Sequence, residues 1–334
     1  MEQISILMPV RNSAAYLEEC LDSIIHQSHK NWELIVVDDH SVDESVAIIK
    51  SYQKNYPNIF LLKNNDKGII PALSLALSNS KGSFISRMDS DDKMPSRRLE
   101  LMLQKWKETS IKKTIVTGLV EYFGENISEG YKTYENWLNH INSHSLQWQN
   151  VYRECVIASP NWIILKTDLV EMGGFENLKY PEDYHLVLEW HRHQFNIAVC
   201  EETTLFWREH PLRTSRNSEN YQQEAFFKLK LSHFLEYQYK GSQLLLWGTG
   251  KKARLSAKIL KTKAVDFVWM DLNPEKFPNG IQNQNIENYL NTQQHSPNKT
   301  NILLCVYPPE TEKQKMESYL ASLNFLLGEN YWYL

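Results

Sequence analysis

Residues 84–95 read Phe-Ile-Ser-Arg-Met-Asp-Ser-Asp-Asp-Lys-Met-Pro. An apolar pair opens this stretch, and three carboxylates follow within four positions: Asp89, Asp91 and Asp92. Carboxylates this close repel one another, so all three stay ionised only beside water or a cation. Oxygen ligands one residue apart suit Mg²⁺ or Mn²⁺, above all when substrate phosphates complete the coordination shell. The stretch also fits a solvated acidic turn before a helix starting at Arg97, since Asp and Ser are favoured there.

Upstream of this stretch, apolar strand patterns alternate with helical ones. The strands are expected at 4–8, 32–37, 59–63 and 84–88, and the helices at 14–26, 43–53 and 69–79. This alternation predicts parallel β-α-β units, in which ligands bind outside the carboxyl ends of the strands. Polar residues follow three of those ends: Pro9-Val10-Arg11-Asn12, Asp38-Asp39 and Asp89-Ser90-Asp91-Asp92. We therefore expect the sheet to gather these groups at one edge.

Composition excludes several classes of protein. The net charge of −4 offers no basic footprint, which argues against a nucleic-acid partner. No apolar run reaches the roughly 18 residues of a membrane span, and the N-terminus does not resemble a signal peptide. The four cysteines form no C-x-x-C pair, so neither a zinc site nor a disulfide framework is expected. These features predict a cytoplasmic protein and leave open peripheral contact with the inner face of the membrane, as well as a homo-oligomer.

Together, the motifs of the first two thirds resemble those of family-2 glycosyltransferases. The matching segments are Ile-Leu-Met-Pro-Val-Arg-Asn at 6–12, Glu-Leu-Ile-Val-Val-Asp-Asp-His-Ser-Val-Asp at 33–43 and Arg-Met-Asp-Ser-Asp-Asp at 87–92. The resemblance covers about residues 3 to 215, and the combination is far more specific than any single motif. It implies a GT-A type fold, in which helices flank a mixed, mostly parallel sheet. It further implies a UDP-sugar donor and inversion at the anomeric carbon.

The resemblance also implies roles for individual residues. Asp39 would contact the uracil ring with Asp38 in support, while Asp89 and Asp91 would contact ribose and the metal–diphosphate group. The implied nucleotide-sugar-binding residues are Pro9, Val10, Arg11, Asn12, Asp38, Asp39, Lys67, Arg87, Asp89, Ser90 and Arg213. The implied ligands of an Mn²⁺ or Mg²⁺ cofactor are Asp91, Asp92 and His210. At Lys67, an ordinary exposed loop lysine is the competing interpretation.

A second acidic pair lies at 180–184, in Tyr-Pro-Glu-Asp-Tyr, where a helix is expected to begin. Acids in a first helical turn are favoured by the helix dipole, so capping alone accounts for the pair. The resemblance identifies it instead with the family's second acidic motif, which makes Asp183 the catalytic base and Glu182 the alternative. Inverting transfer needs one base to take the proton from the acceptor hydroxyl, and its position matters more than its basicity.

Two further segments have implied contacts with substrate. The run Trp-Arg-Glu-His-Pro at 207–211 corresponds to a Tyr-Arg-x-His segment of the family, with Trp in place of Tyr. His210 would then complete the metal shell or bind the diphosphate, and Arg208 or Arg213 would neutralise phosphate. A loop histidine and surface arginines are the alternative. The less regular region 125–165 would face the acceptor, with Asn161 and Trp162 as candidates, whereas His140 and His144 fit surface positions on a helix.

The C-terminal third starts a new α/β pattern after a boundary at 240–242. A strand leads into Trp-Gly-Thr-Gly-Lys at 247–251, and Asp271 follows Gly250 by about 21 residues, as in a dinucleotide fingerprint. Ala253 occupies the third glycine position of that fingerprint, so nucleotide binding and a purely structural or oligomerising role both stay open. A looser resemblance to the tail of β-1,3-N-acetylglucosaminyltransferase-like proteins hints at GlcNAc.

These observations predict two domains and a transferase. Residues 1–238 form the glycosyltransferase domain, with 1–123 binding the nucleotide sugar and 124–238 the acceptor and base; 242–334 form a small Rossmann-like domain. The expected reaction is metal-dependent, inverting transfer of GlcNAc or another hexose to a saccharide or glycolipid acceptor, in cell-surface polysaccharide or glycoconjugate biosynthesis. The alternatives are a non-catalytic nucleotide-sugar-binding protein and a nucleotidyltransferase, although residues 9–13 lack the glycine-rich phosphate loop of the latter. An oxidoreductase acting through the C-terminal Gly-x-Gly turn has no evident substrate domain.

Overall fold

The apolar runs of the first half form a parallel sheet in the computed structural model, which describes residues 2–109, 111–125, 127–211 and 213–334. Two compact units are present: Met1–Gln147 with Val156–Asn217, and Trp148–Cys155 with Ser218–Leu334. The elements of the first unit are β1 (Ile4–Val10), α1 (Ala14–Ile25), β2 (Trp32–Asp38), α2 (Ser45–Gln53), β3 (Ile59–Lys63), α3 (Ile69–Asn79), β4 (Phe84–Arg87), α4 (Arg98–Thr109), β5 (Thr114–Gly124), α5 (Glu129–Ser143), β6 (Ile163–Leu165), α6 (Lys166–Glu171), α7 (Glu182–Arg192), β7 (Asn196–Glu209) and α8 (Thr214–Asn217).

The first unit is a seven-stranded sheet in the order β3-β2-β1-β4-β6-β5-β7. All neighbouring strands run parallel except β6, which is antiparallel to both β4 and β5. This is the mixed, mostly parallel sheet that the sequence predicts. The observed strands and helices of the first hundred residues agree with the predicted ones to within two residues.

The core explains why the first strands form where they do. Strands β1 and β2 are buried along almost their whole length, as expected for central strands covered by helices on both faces. On α1, Leu17, Leu21 and Ile24 recur at helical spacing and pack in the same cluster as Ile6 and Met8 of β1. Burying a side chain of this size contributes about 1.5–3 kcal/mol, so the apolar stripe fixes which face of α1 meets the sheet.

The strand register brings the polar strand ends to one edge. Val10 pairs with Asp38 at the ends of β1 and β2, and Asp38 pairs in turn with Lys63 at the end of β3. Arg87, the last residue of β4, pairs with Leu7 of β1. The three polar segments that follow these strands therefore leave the sheet side by side, as the sequence predicts.

The second half of the first unit is more regular than the sequence indicates. The region 125–165 contains the helix α5 and the strand β6. The 14-residue strand β7 is absent from the sequence-based prediction, because a polar run at 201–204 interrupts its apolar pattern. It pairs with β5 over that strand's full length, with register shifts beside Gly118 and Leu119. The Trp-Arg-Glu run at 207–209 is consequently the end of a strand.

The second unit is a five-stranded, entirely parallel sheet in the order β10-β9-β8-β11-β12. Its elements are α9 (Gln223–Tyr237), β8 (Gln243–Trp247), α10 (Lys251–Thr262), β9 (Val268–Asp271), β10 (Ile286–Asn288), β11 (Thr300–Leu304), α11 (Glu310–Ser322) and β12 (Tyr331–Tyr333). A single 3₁₀ turn at Glu219–Tyr221 precedes α9. Helix α9 groups with this unit, whereas the sequence-based boundary assigns it to the first domain.

No described helix has both the length and the apolar character needed to cross a bilayer.

Candidate active site

Asp39 lies directly after β2 and is held by the loop that precedes α3. Its backbone N–H donates to the carbonyl of Val10 at 2.7 Å. Its carboxylate accepts from Asn64 Nδ2 at 2.7 Å and from the backbone N–H of Gly68 at 2.9 Å. The Arg11 guanidinium lies 3.7 Å from its second oxygen. Asp39 is thus buried and oriented by neighbours, two of which (Asn64 and Gly68) the sequence did not single out.

Asp38 and Asn12 hold the loop that follows β2. Asp38 Oδ1 accepts from the backbone N–H of Ser41 at 3.1 Å, and Asn12 Oδ1 accepts from the N–H of Val42 at 2.8 Å. The Asn12 N–H in turn donates to Ser41 Oγ at 3.0 Å. These contacts give both side chains supporting positions around Asp39. Lys67 is exposed in the loop before α3.

Ser90 lies in the turn after β4, beside the loop after β1. Its hydroxyl lies 2.6 Å from that of Ser13, the residue directly before α1. Pro9 and Val10 complete β1 on the other side of this junction, with Val10 fully buried. The ends of β1 and β4 are therefore tied together through side chains as well as through the sheet.

Arg87 connects the end of β4 to the start of α7. Its side chain is only 4% exposed; Nε donates to Asp89 Oδ1 at 2.7 Å, and Nη1 donates to Glu182 Oε1 at 3.2 Å. Burial, with the charge of Asp91 adding to it, raises the pKa of Asp89, although Arg87 opposes the shift. Burial works against the charge of Arg87, but Asp89 and Glu182 outweigh it and raise the pKa of the guanidinium. Two segments nearly a hundred residues apart are thereby joined by one cation.

Asp183 follows Glu182 in the first turn of α7 and lies within the same electrostatic cluster. Its Oδ1 accepts from the backbone N–H of Tyr184 at 2.8 Å. Burial and the neighbouring charge of Glu182 raise the pKa of Asp183 to about 7, and Arg87 only partly offsets them. A carboxyl that titrates near neutral pH is suited to taking up a proton.

Asp91 and His210 are in direct contact within the acidic cluster. Asp91 Oδ2 lies 2.9 Å from His210 Nε2, and the imidazole packs against the ring of Tyr16 with centroids 4.4 Å apart. Burial would raise the pKa of Asp91, but the hydrogen bond from His210 and the charge of Arg213 together lower it. Asp91 is therefore the member of the cluster that most readily stays ionised.

The Asp91–His210 pair fits a divalent cation. Two donors at right angles on an ion with bonds of about 2.1 Å are about 3 Å apart, which matches the observed separation. Across residues 2–109, 111–125, 127–211 and 213–334, no three His, Cys, Asp or Glu side chains form a ready-made metal site. Ions of the Mg²⁺ type usually take one or two protein ligands and complete their shell with water and substrate phosphates. Asp91 and His210 would give such an ion two protein ligands, and water and a bound diphosphate would complete its shell.

Asp92 points into the protein. It is 2% exposed, and its Oδ1 accepts from the backbone N–H of Arg208 at 2.7 Å. Burial, together with repulsion from Asp91 and Asp89, raises the pKa of Asp92 well above its usual range. The structure thus separates Asp92 from the other two acids of its motif, because it fastens β7 to the turn after β4.

The two candidate arginines of β7 and its exit differ in their surroundings. Arg208 donates from Nε to the Asp91 carbonyl at 2.7 Å and pairs with Glu19 at 3.1 Å. Its guanidinium also lies over the Phe123 ring. Arg213 pairs with Glu209 at 3.1 Å and lies over the Trp207 ring.

Arg208 therefore holds the turn that carries Asp91. Burial acts against the charge of Arg213, but Asp92 and other acidic neighbours raise its pKa, so a cation is maintained next to Asp91 and Asp92.

Arg98 is a central residue that the sequence did not reveal. It is fully buried at the start of α4, and Nη2 donates to Ser86 Oγ at 3.2 Å and to the carbonyls of Arg87 and Pro160. Burial lowers the pKa of Arg98 to about 10, with the charge of Asp92 opposing the shift. A basic residue in the first turn of a surface helix ordinarily indicates exposure, so only the tertiary contacts identify this one.

The acceptor candidates Asn161 and Trp162 are structural. Asn161 is fully buried, donating to the Gly118 carbonyl at 2.9 Å and accepting from Thr204 Oγ1 at 2.8 Å. Trp162 is also buried, with its indole N–H donating to the Ser159 carbonyl. Asn161 thus joins β5 to β7, whereas the Trp162 ring packs against Trp190 of α7, and neither side chain faces solvent. The expectation that they face the acceptor is corrected, whereas His140 and His144 are exposed at the end of α5 as predicted.

Comparison with known proteins places the chain in a family. The model of the family described as Glycosyl transferase family 2 matches residues 5–173. The chain is 34% identical over 194 residues to Glycosyltransferase GlyA of Streptococcus pneumoniae serotype 4, covering 55% of this chain and 27% of GlyA. It is 28% identical over 251 residues to the uncharacterized glycosyltransferase RP339 of Rickettsia prowazekii, covering 74% and 76%. The putative glycosyltransferase EpsE of Bacillus subtilis is 40% identical over 100 residues, which is 36% of its length.

Solved structures share the fold. TarS 1-349 of S. aureus, in complex with UDP-GlcNAc, gives a TM-score of 0.55 at 18% identity and covers 78% of this chain and 72% of its own. The mannosyltransferase PcManGT of Pyrobaculum calidifontis, in complex with GDP-Man and Mn²⁺, gives 0.55 at 16% identity and covers 96% and 81%. The fold is thus of the GT-A type. Because the family model spans half of the chain and the architecture agrees with it, the chain belongs to glycosyl transferase family 2.

Proposed function

We propose that this protein is a metal-dependent, inverting glycosyltransferase that moves GlcNAc or another hexose from a UDP-sugar to a hydroxyl of a saccharide or glycolipid, in cell-surface polysaccharide or glycoconjugate assembly. The observation that carries the proposal is the contact of Arg87 with both Asp89 and Glu182. Through it, the candidate base on α7 and the acidic motif after β4 belong to one cluster. Family membership and neighbours solved with nucleotide sugars support the same reaction class.

The donor would lie along the ends of β1, β2 and β4. Asp39 is buried and fixed by Asn64 and Gly68, which suits a carboxylate that selects a pyrimidine through its ring N–H. Arg11 is half exposed beside Asp39, so its side chain would contact the bound nucleotide. Asp89, fixed by Arg87, would accept from the ribose hydroxyls. In this arrangement the preference for uridine follows from Asp39.

The diphosphate would lie beside Asp91 and His210, with Arg213 nearby. Mn²⁺ or Mg²⁺ held by Asp91 and His210 would supply positive charge to the departing diphosphate. Arg213 adds a fixed guanidinium next to these residues, a side chain well suited to phosphate. Asp92 and Arg208 hold the turn after β4 in place: Asp92 accepts from the Arg208 backbone N–H, and the Arg208 side chain donates to the Asp91 carbonyl.

Asp183 would act as the base. It takes the proton of the acceptor hydroxyl while the acceptor oxygen forms its bond to the anomeric carbon. The bond between that carbon and the diphosphate oxygen breaks, and UDP leaves on the opposite face with its electron pair. Glu182 is ion-paired with Arg87 and nearly fully buried, so it positions Asp183 and tunes its pKa without meeting the acceptor.

The test compares Asp183→Asn with Asp266→Asn, a matched change at an exposed residue of the second unit. A panel of UDP-sugars with Mn²⁺ is screened for transfer, and UDP affinity is measured by calorimetry. We expect Asp183→Asn to lower kcat at least a hundredfold, the low end of general base catalysis, with UDP affinity unchanged. Asp266→Asn should behave as the unaltered protein. Normal turnover by Asp183→Asn would refute the assignment of the base.

A further inference from the structure

The carboxyl ends of β8 and β11 mark the switch point of the second sheet. These two strands pair in parallel, with Trp247 opposite Leu304 at their ends. From β8 the chain passes through α10 to β9 on one side, whereas β11 leads through α11 to β12 on the other. In open parallel sheets, the crevice between such strand ends is where ligands bind. The run Gly-Thr-Gly at 248–250 borders this crevice.

The two glycines of this run differ in what the protein itself requires. Gly248 has φ +113°, and a Cβ there would meet Val306 Cγ1 at 2.7 Å and the Cys305 carbonyl at 3.1 Å, so the fold demands a glycine. Gly250 has φ −69°, which any residue adopts, and nothing lies within 4 Å of the position its Cβ would take. Glycine is a favoured residue at this N-cap position, although Ser, Asp or Asn would cap α10 somewhat better. Without a side chain, Gly250 also leaves the backbone open to the approach of a ligand.

A basic cluster of Arg153, Lys230 and Lys252 lies on the same side of the unit. Lys252, in the first turn of α10, has its ammonium 4.4 Å from the centroid of Tyr307, the third residue after β11. The Arg153 guanidinium lies 5.1 Å from the same ring. The carboxylate of Glu154 lies 3.4 Å from the Lys252 ammonium and is about half exposed. Its charge also acts on Lys230.

Lys230 is the member of the cluster that most needs an anion. It is 2% exposed, and its ammonium donates to the Arg153 carbonyl at 3.2 Å. In the described part of the chain it forms no ion pair, although an ammonium has three donors. The ammonium also lies 4.0 Å from the centroid of the Phe227 ring. Burial lowers the pKa of Lys230 to about 8, and the charge of Glu154 offsets only part of this shift. An anionic ligand in the crevice would compensate this charge.

We propose that the crevice at the carboxyl ends of β8 and β11 binds a phosphate-bearing small molecule of the nucleoside-diphosphate class, separately from the donor site of the first unit. The phosphate would face the backbone at Gly250 and the first turn of α10, whose N–H groups and dipole favour an anion. Lys252 and Lys230 would supply the counter-charge. Asp271, at the end of β9, already accepts from Thr249 Oγ1 at 2.7 Å and holds the loop in its observed shape.

The experiment titrates the full chain with pyrophosphate, ADP and UDP by calorimetry, with EDTA present to weaken the metal-dependent site. Gly250→Ala adds a methyl group to empty space, and Lys230→Met removes the buried charge while keeping the side-chain volume. The matched controls are Gly130→Ala, where a Cβ meets its nearest neighbour at an ordinary 3.7 Å, and Lys228→Met, an exposed position on α9. Inorganic phosphate separates binding of the phosphate alone from binding of a nucleotide.

We expect both crevice variants to weaken binding about tenfold or more, the value of one charge-assisted hydrogen bond, and both controls to leave it unchanged. The ligand-free Gly250→Ala protein should still unfold cooperatively, with only the small loss of stability expected for an N-cap change, which separates loss of the site from misfolding. The proposal is overturned if no probe binds at millimolar concentration, or if binding persists unchanged in both variants. Transfer activity is read independently, so a failed transferase assignment leaves this result interpretable.

Discussion

At the scale of single residues, four aspartates of the candidate site have four different environments. Asp91 is paired with His210 and has a lowered pKa, whereas burial raises the pKa of Asp89, Asp92 and Asp183. Neighbouring carboxyls whose pKa values are pushed apart are typical of sites that divide charge stabilisation from proton transfer. The division agrees with the proposal that Asp91 holds a cation and Asp183 accepts a proton.

Transfer should depend on pH through Asp183. Because the base must be deprotonated, we expect kcat to rise with pH and to level off above about 7, the pKa to which burial and Glu182 raise this carboxyl. The measurement is a pH profile of kcat at saturating donor. A profile that is flat between pH 5 and pH 8, on the order of three pH units around this value, would contradict the assignment.

The same group should affect stability with the opposite trend. The folded protein binds the Asp183 proton more tightly than the unfolded chain, whose Asp pKa is about 3.9, so Asp183 stabilises the fold at low pH. That contribution is lost as the pH rises from about 4 through about 7. Asp183→Asn should therefore be more stable than the unaltered protein at pH 8, by up to about 4 kcal/mol, the equivalent of about three pKa units. Urea unfolding at pH 5 and pH 8 measures it.

Asp91 should control the dependence on metal. We expect Asp91→Asn to remove the gain in UDP affinity that Mn²⁺ produces, because one of two protein ligands loses its charge. Calorimetry with Mn²⁺ and with EDTA gives the ratio, and Asp266→Asn is the control. Equal metal dependence in both variants would show that the ion is held elsewhere.

At the scale of elements, Arg87 fastens α7 to the end of β4. Breaking a buried ion pair leaves the partner charge uncompensated, so Arg87→Met should lower the free energy of unfolding by about 3–5 kcal/mol. Arg97→Met, at an exposed residue just before α4, should change it by less than about 0.5 kcal/mol. Adding Glu182→Gln to Arg87→Met should recover part of the loss. If Arg87→Met unfolds like the Arg97 variant, the pair does not hold the two elements together.

At the scale of the whole molecule, the metal-dependent part of UDP binding should stabilise the first unit. A ligand at 100 times its Kd adds about 2.7 kcal/mol to the unit that binds it, or several degrees in a unit of 150–250 residues. UDP with Mn²⁺ should therefore raise the melting temperature of the first unit, and EDTA should reverse most of the rise. Hydrogen exchange followed by mass spectrometry assigns the protection to the ends of β1, β2 and β4. Protection confined to residues 218–334 would contradict the location of the donor site.

The sequence predicted the first hundred residues well because local signals and global structure agree there. The apolar run of β1 and the helical spacing of apolar residues in α1 are visible in the sequence, and polar residues follow the strands. Strand β7 could not be found in this way, because its pairing with β5 is fixed by a partner some eighty residues earlier. Helix α5, by contrast, has an amphipathic pattern over Glu129–Ser143 that is visible in the sequence.

The candidate site also combines features that are visible in the sequence with features that arise only on folding. The acids that follow the strand ends are visible in the amino-acid sequence, and a parallel sheet gathers Asp39, Asp89 and Asp91 at one edge. Folding alone brings Arg87 to Glu182, turns Asp92 inward and buries Arg98. The reason is that the local pattern of apolar residues shows where a strand ends. The burial and pairing of charges instead depend on segments that meet only after folding.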